Sequence, residues 1–138
     1  MSEDIRNLSR AEISNLSRSE LINIIYENCS NIENSFAGEQ RVYIKNCILT
    51  VTRWDGRWIR WVKLNQTSPN LIRVSSTATI ELQTLGDKVN WICEGEFSRI
   101  DNIVISTTTE DKCRNLILIF QELIVKCGSN IFHVITGF

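Results

Sequence analysis

A chain of 138 residues is long enough to bury about two thirds of its unfolded surface, so it suits a single domain, 1–138, with one core and no need of staples. Ordinary proportions of apolar and charged residues, without a low-complexity run, exclude a disordered or collagen-like chain. A net charge of -1 excludes a global field that would draw the whole molecule onto nucleic acid or an anionic membrane, so any basic site has to be local.

The opening residues, MSEDIRNLSR, are charged and lack the apolar stretch of a signal peptide, and no apolar run reaches bilayer-spanning length. The expectation is a soluble, intracellular (cytoplasmic) protein. In that setting Cys29, Cys47, Cys93, Cys113 and Cys127, with no C-x-x-C pair among them, are expected to be buried thiols. The N-x-S/T sequons at Asn7, Asn15, Asn28 and Asn65 then carry no meaning.

Residues 1–40 read as a helical N-terminal segment. The stretch NLSRAEIS at 7–14 returns as NLSRSELI at 15–22, and each copy holds a capping box, Ser9 with Glu12 and Ser17 with Glu20. Each also holds a hydrophobic staple, Leu8 with Ile13 and Leu16 with Leu21. Two helix starts so close together predict one short helical turn at about 10–14 and a longer helix at about 18–29. In the longer one Leu21, Ile25 and Cys29, with Ile22 beside them, form the inward stripe. The repeat is too short for the two full helices of a helix-turn-helix, and only Arg10 and Arg18 are basic in it. Residues 30–40, rich in Ser, Asn and Gly, read as a connection.

Residues 41–107 read as antiparallel strands. Two apolar runs flank Asp55-Gly56, the signature of a type I′ hairpin, which pairs Arg53 with Trp58, Val51 with Arg60, Thr50 with Trp61 and Leu49 with Val62. One face then carries Cys47, Leu49, Val51, Val62 and Leu64, continuing into Arg53, Trp58 and Arg60. The other carries Ile44, Ile48, Thr50, Ile59, Trp61 and Lys63. The tip gathers three of the four tryptophans among four cations, and it is expected to project beyond the core. After Pro69, residues 71–85 read as one long strand, broken or bulged at Ser75-Ser76. Gly86-Asp87 is expected to turn it into a second hairpin, setting Leu82 against Trp91 and Ile80 against Cys93, with Glu81, Gln83, Asn90 and Glu94 on a wet face and Trp91 in the core. A short strand follows near 102–107.

Residues 108–138 read as a helix plus a short strand. Thr108 or Thr109 is expected to cap a helix at about 110–127, with Glu110 and Asp111 at its positive end and Lys126 and Gly128 at its close. Its apolar face is wide, with Leu118, Ile119 and Val125 extending it, so another element or another subunit is expected to cover the outer edge. NIFHVITGF predicts a final strand. The fold class is therefore α+β: N-terminal helical segments, a largely antiparallel sheet of five or six strands, a C-terminal helix packed on the sheet, and a short last strand.

The inventory for catalysis is poor. His133 is the single histidine and stands in an apolar strand, and no P-loop, dinucleotide fingerprint, zincin motif or EF-hand is present. Glu94, Glu96 and Asp101 read as a solvated acidic edge. No enzyme activity, small-molecule substrate, cofactor or metal is inferred. The candidate binding residues are Arg53, Trp54, Arg57, Trp58, Arg60, Trp61 and Lys63. Tryptophan and arginine dominate interface hot spots, so the leading expectation is a non-enzymatic binding or assembly protein that docks a protein partner or an identical subunit. The alternative is single-stranded nucleic acid, RNA above all, with rings stacking bases and cations following phosphates. A third reading rests the tip on a membrane surface.

Overall fold

The computed structural model describes residues 4–34 and 38–128; the expected final strand and His133 lie outside them. Both capping boxes form: Ser9 opens α1 (Arg10–Ser14) and Ser17 opens α2 (Arg18–Cys29), and in each the glutamate reaches back to the serine backbone. Both helices start and stop where the repeat places them, because the boxes satisfy backbone donors that would otherwise be orphaned at two nearby points. Leu21, Ile25 and Cys29 are the buried stripe of α2.

The strands β1 (Ile32–Asn34), β2 (Gly38–Lys45), β3 (Ile48–Arg53), β4 (Trp58–Lys63), β7 (Val89–Cys93) and β8 (Glu96–Ile100) form a six-stranded antiparallel sheet in that spatial order. A second, three-stranded sheet holds β5 (Thr67–Ser76), β6 (Thr79–Thr84) and β9 (Asn102–Ser106), with β6 in the middle. Pro69 lies in β5, an edge strand, where a missing N–H is tolerated. The β3–β4 register is as predicted, Arg53 opposite Trp58 and Leu49 opposite Val62. Asp55 and Gly56 both take positive φ, and the N–H of Arg57 donates to the carbonyl of Trp54, which is the type I′ geometry.

Several local expectations give way. Residues 71–85 are two strands: the register does shift between Val74 and Ser76, as expected of that point, but the chain then reverses where Ala78 adopts φ 56; no Gly, Asn or Asp marks that turn. Gly86-Asp87 does not close a hairpin but carries the chain from one sheet to the other, so β7 pairs with β4 and not with β6. Glu94 and Gly95, both at positive φ, form the turn of a further hairpin to β8, which the acidic reading of that segment concealed. Glu81, expected to face water, is buried, while Trp91, expected in the core, is half-buried. Ile44 lies opposite Leu49, on the inner face and not the outer one.

The core sits between the inner face of the large sheet, the small sheet and α3 (Cys113–Lys126), which packs chiefly on β5 and α2. A 3-10 turn, Glu110–Lys112, precedes α3, and the hydroxyl of Thr109 donates to Asp111 instead of capping the helix. Leu116, Ile119, Phe120, Leu123 and Ile124 of α3 are fully buried against Val42, Leu49, Val51, Val62 and Leu64 and the rest of the core. Each such side chain contributes about 1.5–3 kcal/mol. Ile119, on the edge that another element or another subunit was expected to cover, is buried within the protein itself, and α1 packs on α3 with Lys126 donating to the carbonyl of Ser14. Val125 stays exposed.

The cysteines divide. Cys29 and Cys113 are buried thiols, and burial pushes Cys29 up to about 12. Cys47 and Cys127 are not thiols: they form a disulfide with a Cα–Cα distance of 5.8 Å, tying the β2–β3 turn to the end of α3. Eighty residues separate them, a juxtaposition that spacing in sequence could not reveal.

Candidate nucleic-acid interface

The ribbon of β3 and β4 does not project. β3 has β2 on its other side, and β4 is paired with β7 as far as Trp58 opposite Cys93, so both strands are central in the sheet. Its predicted site residues separate into three groups.

Arg53, Trp58 and Arg60 continue the inner face toward the small sheet. Arg53 is 5% exposed; its Nη2 donates to Gln40 Oε1 at 2.7 Å and to the carbonyl of Val104 at 3.3 Å. Its guanidinium lies 5.3 Å from the Trp58 ring, and that of Arg60 lies 4.6 Å from the rings of both Trp58 and Trp91. Arg60 Nη1 donates to Asn102, Asn102 donates to Glu81, and Glu81 accepts from Arg73. Desolvation lowers the pKa of both arginines, and for Arg60 the nearby Arg53 charge adds to it. Among the described residues, Arg53 Nη1, Arg60 Nε and Trp91 Nε1 are buried without a hydrogen-bond partner. They sit among ring faces, where cation–π attraction offsets part of the desolvation. These groups join the two sheets.

Trp54 and Arg57 belong to the turn. Trp54, at φ 52, packs against Gly38, where an added Cβ would stand 3.5 Å from its ring. Arg57 is exposed, and its Nε donates back to the carbonyl of Trp54.

Trp61 and Lys63 lie on the outer face of the large sheet, away from the core. The register assembles that face in rows: Tyr43, Thr50, Trp61, Asn90 and Arg99 in one, and Arg41, Thr52, Ile59, Ile92 and Phe97 beside it. Tyr43 and Phe97 are half or more exposed, and Trp61 leans on Phe97 at 6.3 Å between centroids. Tyr43 and Trp61 stand two strands apart, about 10 Å. Around these rings are Arg41, Lys45, Lys63, Lys88 and Arg99. Arg41 approaches Glu39 at 3.7 Å; among the described residues the other four make no ion pair. A surplus of cations beside exposed rings can hold a polyanion that also presents flat apolar faces.

Tyr43, Phe97, Arg41, Lys45, Lys88 and Arg99 were missing from the sequence-based set. The alternation in RVYIK, with Val42 and Ile44 buried and Arg41, Tyr43 and Lys45 outward, was a legible signal for half of them. Phe97 and Arg99 reach this face only through β8, a strand that no alternation of apolar and polar residues marks in the sequence.

Among the described residues, no group of three His, Cys, Asp or Glu side chains could hold a metal, and no helix is long and apolar enough to cross a membrane. No protein-family model matches the chain, and no curated protein or solved structure matches it either.

Proposed function

We propose that this chain is a non-enzymatic binding domain that takes single-stranded nucleic acid across the outer face of its six-stranded sheet. The observation that carries the reading is the juxtaposition of Tyr43, Trp61 and Phe97 with unpaired Lys45, Lys63, Lys88 and Arg99 on a sheet surface away from the packed helices. Bases stack on such rings at about 1–3 kcal/mol each, and the cations follow the phosphates. This relocates the site from the turn to the sheet: of the residues first singled out, Trp61 and Lys63 take part directly.

Self-association through the same face is disfavoured by charge. A two-fold interface sets one patch against its own copy, so a face of net positive charge would meet the same net charge. The nucleic-acid reading calls for an intracellular setting. In a reducing cytosol the Cys47–Cys127 bond would open, but the backbone pairing of β2 with β3 that builds the face does not depend on it.

Titration of a labelled single strand of about ten nucleotides at roughly 50 and 200 mM salt tests the proposal. Affinity is expected to fall steeply with salt, and Trp61→Ala combined with Phe97→Ala to weaken binding at least about tenfold. Absence of binding at the lower salt, or affinity indifferent to both changes, would overturn it.

A further inference from the structure

One corner of the outer face is concave. Trp61 and Asn90 are the last register partners of β4 and β7, and Lys63 at the end of β4 and Lys88 just before β7 come to the same basin. Both lysines, with Arg99 and the side-chain amides of Asn90 and Gln66, line a basin of about 330 Å³ whose wall is the Trp61 indole. Asp87 is the carboxylate at its rim. Like charges gathered at one basin repel, and among the described residues neither lysine has an ion-pair partner to relieve the repulsion. The amides of Asn90 and Gln66 make no hydrogen bond to other described residues. The basin thus combines an aromatic face, free amide donors and acceptors, and excess positive charge.

We infer that this basin is a nucleotide subsite that reads one base of the bound strand: the base stacks on Trp61, Asn90 and Gln66 hydrogen-bond its edge, and Lys63, Lys88 and Arg99 hold the adjoining phosphates. The inference rests on the single-strand reading above and adds sequence preference to it. Stacking alone tolerates every base, since each has a π-face, whereas an amide paired with a base edge discriminates among them. Asn90 and Gln66 are the uncharged groups of the basin that supply discrimination here, the cations being taken up by phosphates, and the rest of the face, through Tyr43 and Phe97, binds whatever sequence follows.

The test uses the full chain and labelled homopolymer strands of each base, with Asn90→Leu, Lys63→Ala plus Lys88→Ala, and Phe97→Ala as variants and thermal unfolding as the control for folding. The wild-type protein should prefer one base by about tenfold. Asn90→Leu should collapse that preference to within about twofold while strand binding persists. The double lysine variant should make the logarithmic salt slope shallower by about one to two. Phe97→Ala should weaken all four strands alike. Strand binding that shows no base preference, or a preference or salt slope untouched by these changes, overturns the subsite and leaves the broader reading standing. A folded wild-type chain that binds no strand overturns both.

Discussion

Gln40 carries more of the structure than its place in a polar stretch of sequence suggests. Its Nε2 donates to the carbonyls of Cys29 and Ser106, while its Oε1 accepts from Arg53 Nη2 and from the N–H of Ser106, so both donor hydrogens and both acceptor sites of the amide are used. One side chain, fully buried, thereby links α2, β2, β3 and β9. Gln40→Leu removes those partners at once and leaves a buried guanidinium less satisfied, so it should destabilise by about 3 kcal/mol or more, against less than about 0.5 kcal/mol for exposed Arg57→Ala. Urea unfolding measures both, and a Gln40→Leu loss below about 1 kcal/mol would contradict this account. The alternation of β3 and β4 did show that Arg53, Trp58 and Arg60 share a face with Leu49 and Val62. It could not show whether the polar end of that face meets water or a second sheet, because the answer lies in β9, some fifty residues further on.

At the scale of elements, legibility followed the locality of the cause. The two capping boxes and the Asp55-Gly56 turn are each decided within four residues, and α1, α2 and the β3–β4 register appear where those signals put them. The β5–β6 turn gives no such signal, since alanine at φ 56 is held there by pairing on either side and not by preference. The choice of β4 over β6 as the partner of β7 is likewise a property of the assembled sheets. The boxes yield a prediction with a sign. Backbone N–H groups of Ser9 and Ser17 donate to Glu12 and Glu20, and these bonds, followed by those with the serine hydroxyls, hold both carboxyls below their ordinary 4.5. Because the folded values are depressed, the stabilisation is complete above 4.5 and is lost as pH falls through the lower folded values. Carboxyl titration by NMR should place both midpoints below 4.5, and Ser17→Ala, removing the reciprocal cap, should destabilise α2 by about 1 kcal/mol and move Glu20 back upward. A Glu20 midpoint at or above 4.5 would count against the box as described.

For the molecule as a whole, the Cys47–Cys127 bond closes a loop with a separation of 80 residues that takes in most of both sheets and all of α3. By the chain-entropy account such a loop stabilises the fold by about 4 kcal/mol through restriction of the unfolded chain. Cys47→Ser with Cys127→Ser should therefore lower the thermal midpoint by roughly 10 °C or more, with the two single serine variants matching the double one. A midpoint unchanged by the double substitution would mean that the loop confers nothing. The same bond also decides how the protein bears mechanical load. Tension applied between Ile5 and Gly128 would travel through the bridge and past the stretch it encloses, so only α1, α2, β1 and β2 could be drawn out while the bond is intact. Cleaving it would release about 270 Å of further contour length from the enclosed residues.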